Sequence, residues 1–160
     1  MLRLRPERDE DDAFRFMLFC QSRPAELALP AIEPAAREQL MRIQYRGQTM
    51  SYRANFPGAR FDIIELEGAE IGRLVADRAG RDIAIVDWAI MPEMRGRGIG
   101  TAIMQAILEE AQRTNRQIRL KVMSGNAAAL QLYLRLGFAP VDTIASHTEL
   151  VWSADRSRDR

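Results

Sequence analysis

The sequence predicts an α+β fold with a mixed, mostly antiparallel central sheet flanked by about four helices. Three apolar runs between residues 61 and 90 are separated only by short polar turns, which is typical of an antiparallel meander. From residue 82 onward, strand-like and helix-like segments alternate. The 160 residues suit one domain, which is predicted over residues 1–152 and is followed by a flexible polar tail over residues 153–160.

The first half of the chain predicts a short strand, two helices and the meander. Leu2–Arg5 alternates apolar and charged residues, as a short strand does. The acidic run Asp9–Asp12 favours a helix start, because the helix dipole stabilises negative charge there, and this helix continues to Gln21 until Pro24 and Pro30 interrupt it. The remaining predictions are a helix over Pro34–Tyr45, a loop over Arg46–Ala59, and strands over Phe61–Leu66, Glu70–Ala76 and Asp82–Ile90.

The second half predicts two helices and three further strands. Apolar residues recur every four positions between Ile99 and Ala111, which predicts a helix over Gly98–Arg113. Gly137 is suited to the position just after a second helix. That helix is predicted over Asn126–Leu136, and the strands over Gln117–Val122, Phe138–Ala145 and His147–Trp152.

Composition excludes several classes of protein. The net charge is +1, from 23 basic and 22 acidic residues, which argues against nucleic-acid binding as the main role. The chain has one cysteine, Cys20, and one histidine, His147, so no internal disulfide and no clustered metal ligands are expected. The charged start of the chain does not fit a signal peptide, and no apolar run is long enough to span a membrane. We therefore expect a cytoplasmic protein with no metal.

The segment Arg95–Thr101 predicts a phosphate-binding loop. Glycines at positions 96, 98 and 100 remove side chains where a strand meets a helix, so backbone N–H groups can approach a ligand closely. A helix start offers unpaired donors and the positive end of the dipole. The loop lacks the lysine of a Walker loop, and Thr101 stands where a dinucleotide-binding loop has its third glycine.

Two segments together resemble the GNAT family of N-acetyltransferases. Arg95, Gly98 and Gly100 match the family's loop signature, and the preceding strand ends at proline, in Ile90-Met91-Pro92. The stretch Asn126–Phe138 matches the family's asparagine, alanine, leucine-tyrosine and glycine-phenylalanine positions. The resemblance is strong from Asp82 to Phe138. It implies direct transfer of an acetyl group from acetyl-CoA, as acyl donor, to a primary amine in a ternary complex.

The resemblance also implies residue roles. Trp88, Ala89 and Ile90 would line the pantetheine arm through their backbone, and Asn126 would hydrogen-bond to the same arm. Tyr133 would act as general acid toward the leaving thiolate. The pyrophosphate would be held by the loop residues Arg95, Gly96, Arg97, Gly98, Ile99, Gly100 and Thr101.

Each of these roles has a structural alternative. Asn126 is also suited to cap its helix, and Tyr133 is also suited to the core. The two positions at which family members place a catalytic glutamate are occupied by Ala84 and Lys121. Asp87 is the substitute candidate for the general base, and its alternative is a structural pairing with an arginine. Glu65, Glu67 and a chain of water molecules are further options for the base.

The sequence does not identify the acceptor, which can be a small molecule or a protein amine. Residues 11–60 would shape its site in a protein of this family, in which homodimers are also common. The missing glutamates leave a second hypothesis open, namely a module that senses acyl-CoA without efficient catalysis.

Overall fold

The structure is a computed structural model that describes residues 1–22 and 32–157. The predicted interruptions at Pro24 and Pro30 lie outside these residues. The segment predicted as a tail begins with a short helix. In chain order the elements are β1 (Leu2–Pro6), α1 (Asp12–Gln21), α2 (Pro34–Asn55), β2 (Ala59–Leu66), β3 (Ala69–Asp77), β4 (Ile83–Ile90), α3 (Ile99–Arg113), β5 (Ile118–Met123), α4 (Ala127–Arg135), β6 (Ala139–Thr143), β7 (His147–Trp152) and α5 (Ala154–Ser157).

The strands form a seven-stranded sheet in the order β1-β2-β3-β4-β5-β7-β6. β1 pairs antiparallel with β2, and β7 pairs antiparallel with both β5 and β6. β4 pairs parallel with β5, in a register that runs from Ile83↔Ile118 to Ile85↔Leu120. The mostly antiparallel mixed sheet with its helices confirms the fold class predicted from the sequence.

The chain divides into two compact units, and strands β3 and β4 contribute to both. The first unit comprises Met1–Val75 and Asp87–Arg97. Its apolar core includes Leu18, Ile63, Ile64 and Val75, each at most 1% exposed. β2 and β3 join through a two-residue turn in which Glu67 and Gly68 both have positive φ, as a tight hairpin requires.

Among the residues that the structure describes, five charged residues of the first unit are also buried. The clearest pairing is between Arg5 and Asp11, whose carboxylate accepts two hydrogen bonds of 2.8 Å from the guanidinium. Arg5 also donates to Glu65 at 2.6 Å. The hydrogen bonds that Asp11 accepts from Arg5 hold the pKa of Asp11 well below its usual range. The buried charged set is Asp11, Arg15, Asp62, Glu65 and Arg73.

The second unit comprises Ala76–Val86 and Gly98–Arg160. α3 buries Ile99, Ile103, Ile107 and Ala111, the four-residue repeat that the sequence uses to predict this helix. Phe138, Ile118 and Leu150 are fully buried. The turn after β3 is held by Arg116, whose guanidinium donates at 2.6 Å to the carbonyl oxygens of both Arg78 and Gly80.

The end of α2 corrects a prediction. The helix continues to Asn55 through the segment Arg46–Ala59, which the sequence predicts as a loop, and so it does not end at Tyr45. A single glycine within a helix costs only about 1 kcal/mol, and Gly47 lies in a stretch of otherwise adequate helix formers. The helix ends just before Pro57-Gly58, where Phe56 N–H donates to Tyr52 O at 2.9 Å. Within the described residues, no helix has the length and apolar content that crossing a membrane requires.

Candidate functional site

The glycine loop connects β4 to α3 through two left-handed residues. Gly96 has φ +73° and Gly98 has φ +76°, a region that other residues rarely adopt. Gly98 is the N-cap of α3, and Ala102 N–H makes the first helical hydrogen bond, to Gly98 O at 3.0 Å. The N–H groups of Ile99, Gly100 and Thr101 therefore precede the first helical bond and lack intrahelical acceptors.

The surroundings of the two left-handed glycines are open. A Cβ atom built on either Gly96 or Gly98 would meet no other atom within 4 Å. Arg97 is exposed beside them, and Arg95 donates from Nε to Ile90 O at 3.1 Å, which ties the loop back to the end of β4. An open helix start with unpaired N–H groups and a neighbouring arginine fits a phosphate or pyrophosphate group.

The last residues of β4 run beyond the register that the strand shares with β5. That register ends at Ile85, whereas Trp88, Ala89 and Ile90 complete the strand. Ala89 also lies close to β3, because a Cβ atom on Gly72 would come within 2.4 Å of Ala89 O. Only a glycine at position 72 allows this close approach.

The two chemically distinctive residues of α4 have different environments. Asn126 is the N-cap, and its Oδ1 accepts the Ala129 N–H at 3.2 Å. The capping alternative for Asn126 is therefore realised, and the exposed amide nitrogen lies outside this contact. Tyr133 is 5% exposed and packs edge-on against Phe138, with ring centroids 5.4 Å apart. Its ring belongs to the core of the second unit.

Asp87 is a half-buried carboxylate in β4. Burial raises its pKa above the usual value of 3.8, and the positive charge of Arg73 partly offsets this effect. Arg73 is thus an arginine whose charge acts on Asp87, as the structural alternative for Asp87 expects. Arg73 is only 4% exposed, and its Nε atom is buried without a hydrogen-bond partner among the residues described. Sequence reasoning missed Arg73, although a lone charge in the apolar run Ile71–Val75 is a usable signal.

The other candidate bases are already occupied. Glu65 accepts from Arg5 Nε at 2.6 Å and from Arg3 Nε at 3.2 Å, and these bonds lower its pKa. Glu67 is exposed and pairs with the N-terminal ammonium of Met1. Lys121, which occupies one of the two positions where family members place a glutamate, lies opposite Glu149 in the β5–β7 pairing. A carboxylate held by two guanidiniums is a poor proton acceptor, so Glu65 is the weaker candidate beside Asp87.

The single histidine and the single cysteine contribute no obvious chemistry. His147 begins β7 and its Nδ1 lies 3.0 Å from Ser146 Oγ, while Cys20 is half-buried in α1. Over residues 1–22 and 32–157, no group of three or more histidine, cysteine or acidic residues is arranged to hold a metal ion.

Comparison with known sequences adds an independent observation. The sequence model of the acetyltransferase (GNAT) family matches residues 29–138. An uncharacterized N-acetyltransferase of Methanocaldococcus jannaschii is 31% identical over 99 residues, which cover 57% of this chain and 44% of that protein. The thialysine N-epsilon-acetyltransferase of Mus musculus is 41% identical over 59 residues, which cover 36% of this chain and 35% of the relative. The chain thus spans less than half the length of these curated relatives.

Solved structures share the fold across nearly the whole chain. The PaiA N-acetyltransferase of Thermoplasma acidophilum, in complex with coenzyme A, superposes with a TM-score of 0.71 at 15% identity, covering 96% of this chain and 99% of that chain. An acetyltransferase of Thermus thermophilus gives a TM-score of 0.68 at 23% identity, covering 96% and 97%. At these identities the likeness concerns the fold alone.

Proposed function

Since the chain belongs to the acetyltransferase (GNAT) family, we propose that it transfers an acetyl group from acetyl-CoA directly to a primary amine. The observation that carries the proposal is the open start of α3, where Gly96 and Gly98 hold left-handed conformations that expose backbone N–H groups. The family resemblance carried by Arg95–Gly100 and Asn126–Phe138 is confirmed by the match of the family model.

Acetyl-CoA fits the residues of the loop and of β4. The N–H groups of residues 96–101, together with Arg95 and Arg97, would bind the pyrophosphate, which carries negative charge to the positive end of α3. Trp88, Ala89 and Ile90 would offer backbone groups to the pantetheine amides in the part of β4 beyond its register with β5. The exposed amide nitrogen of Asn126 would donate to the same arm while its oxygen caps α4.

The chemistry requires two proton transfers. Acetyl-CoA supplies the activated acyl group as a thioester. The amine nitrogen forms a bond to the thioester carbon and loses a proton to Asp87, whose burial raises its pKa toward that of an effective base. As the carbon–sulfur bond breaks, Tyr133 Oη gives a proton to the leaving sulfur. Because the amine attacks the thioester itself, the direct transfer needs no enzyme nucleophile.

A second candidate function has a specific observation in its favour. The positions where family members place a glutamate are Ala84 and Lys121, and Glu65 is already held by Arg3 and Arg5. A protein that binds acyl-CoA without an efficient base would act as a sensor and not as an enzyme. A cytoplasmic location, proposed from the single cysteine, suits either function.

Thiol release with a panel of amines tests the proposal. The panel includes polyamines, peptides with free N-termini and amino acids with a side-chain amine, because the mouse relative is named for thialysine. We expect wild-type protein to release CoA with at least one amine. Tyr133→Phe is expected to bind acetyl-CoA with unchanged affinity by calorimetry and to turn over about 100-fold more slowly.

The outcomes separate the two functions. Unchanged turnover by Tyr133→Phe would remove this hydroxyl from the mechanism and leave acetyl transfer intact. Tight binding of acetyl-CoA with no thiol release for any amine would favour the sensor.

A further inference from the structure

Two arginines of the first unit lie near one aromatic ring and a third is joined to them through a shared carboxylate, a set we call the Phe61 cluster. The guanidinium carbon of Arg53 lies 4.6 Å from the centroid of the Phe61 ring, and that of Arg73 lies 5.8 Å from it. Arg15 joins the cluster through Glu7, whose Oε1 accepts from Arg15 at 2.7 Å and from Arg53 at 2.9 Å. Phe61 itself is buried in β2. The Arg53 side chain is 57% exposed, so the cluster extends from the core of the unit to its surface.

The charges of the cluster are unevenly compensated. Glu7 forms an ion pair with both Arg15 and Arg53, and Asp12 adds a second carboxylate 3.6 Å from Arg15. Arg73 takes part in neither arrangement, and the carboxylate that interacts with its charge is Asp87. The positive charge of Arg73 therefore acts on the candidate catalytic base.

Arg73 also has an unused hydrogen-bond donor. Its side chain is 96% buried, and its Nε has no partner within the described part of the chain. Leaving a buried donor of a charged group unpaired is unfavourable, so a partner from outside the chain is expected. The planar fork of a guanidinium matches a carboxylate, which accepts two parallel hydrogen bonds.

We propose that Arg73 binds a carboxylate of the acceptor, so that the substrate is an amino acid or a close analogue carrying both an amine and a carboxylate. This inference rests on the proposed acetyl transfer and names its substrate class. The ammonium of such a zwitterion is attracted to Asp87 while its carboxylate is attracted to Arg73. Asp87 and Arg73 would thereby each gain a partner of opposite charge on the acceptor.

Matched acceptors test the proposal most directly. Each L-amino acid is compared with its carboxamide, which keeps the amine and removes the negative charge. We expect wild-type kcat/KM to be about 10- to 100-fold higher for the acid, the range expected for hydrogen bonds to a charged group. The amine of the carboxamide is the less basic of the two, so amine basicity alone favours the carboxamide and cannot produce this preference.

Variants assign the preference to Arg73. Arg73→Gln is expected to bring the acid-to-carboxamide ratio close to one, and Arg73→Lys is expected to retain part of the preference. Arg113→Gln removes an exposed positive charge at the end of α3 and should keep the wild-type ratio. A purely structural role for Arg73 would lower both rates together and leave their ratio unchanged.

Each result decides the proposal. A wild-type ratio near one overturns the substrate class and leaves acetyl transfer standing, and a ratio retained by Arg73→Gln overturns the role of Arg73. If no amine is acetylated, the proposed function fails, and calorimetry with the amino acid in the presence of CoA then decides the binding site. Heat that is specific for the acid, weakened in Arg73→Lys and lost in Arg73→Gln supports it, and equal or absent heats for acid and carboxamide overturn it. The wild-type comparison stands even if Arg73→Gln does not fold.

Discussion

Replacing Gly98 by aspartate tests the anion-binding role of the glycine loop most sharply. Gly98 has φ +76°, and a Cβ at this position would meet no atom within 4 Å. The new side chain therefore causes no collision, and its structural cost is the strain of a left-handed conformation, about 1–2 kcal/mol. The effect on ligand binding then comes from charge.

The size of that effect follows from Coulomb's law. Two unit charges ~4 Å apart repel by about 4 kcal/mol at an effective dielectric constant of ~20. Salt and solvent at an exposed loop reduce this energy, and a reduction by half leaves about 2 kcal/mol. That energy corresponds to acetyl-CoA binding that is about 30-fold weaker.

Gly68 provides a matched control for the same substitution. It has φ +82° and equally open surroundings, but it lies in the turn between β2 and β3. Gly68→Asp adds the same charge and nearly the same backbone strain, so urea unfolding should show similar losses of stability for both variants. Calorimetry should show weakened acetyl-CoA binding for Gly98→Asp alone. Equal affinities in the two variants would refute the assignment of pyrophosphate to this loop.

Two further substitutions concern buried carboxylates. The pKa of Asp87 is raised in the folded protein, so its ionisation costs stability as the pH rises above the usual value of 3.8. Asp87→Asn should therefore unfold at higher urea concentration than wild type at pH 7, converge with it near pH ~3, and turn over about 100-fold more slowly. An Asp87→Asn variant that keeps wild-type activity would contradict the role of Asp87 as general base. A variant less stable than wild type at pH 7 would contradict the stability cost of its ionisation. The pKa of Asp11 is lowered, so its stabilisation is present above the usual pKa and is lost as the pH falls. Asp11→Asn should lose about 3 kcal/mol at pH 7, because it leaves the Arg5 charge without its bidentate partner, and the difference should narrow in acid-titrated unfolding curves. A difference that does not change with pH would exclude the ion pair as its cause.

Local signals in the sequence predict much of the fold and the cofactor side of the candidate site. The strands of the meander are bounded by turn residues, and the start of α3 is marked by alternate glycines, so each is encoded within a few consecutive residues. The segment Asn126–Phe138 is likewise recognised from consecutive residues. These are the parts for which element type and position follow from neighbouring residues.

The end of α2 and the Phe61 cluster depend on information that is not local. Gly47 indicates a helix break, but Tyr45 is buried among the core residues of the first unit, and packing of this kind outweighs a propensity cost of about 1 kcal/mol. The cluster joins Glu7, Arg53 and Arg73, which are far apart in the sequence. No periodicity connects such residues, so only the folded chain shows that they meet.

The hydrogen bonds of Arg116 have a consequence for the order in which the second unit folds. Its guanidinium binds carbonyl oxygens of the turn after β3, which lie 34 to 38 residues earlier in the chain. A hairpin turn usually forms within microseconds from its own residues. This turn gains its carbonyl partners only after the chain through α3 has been placed beside it, which requires closing a long loop. The completion of its hydrogen bonding is therefore a late event, set by the arrival of Arg116 and not by the turn itself.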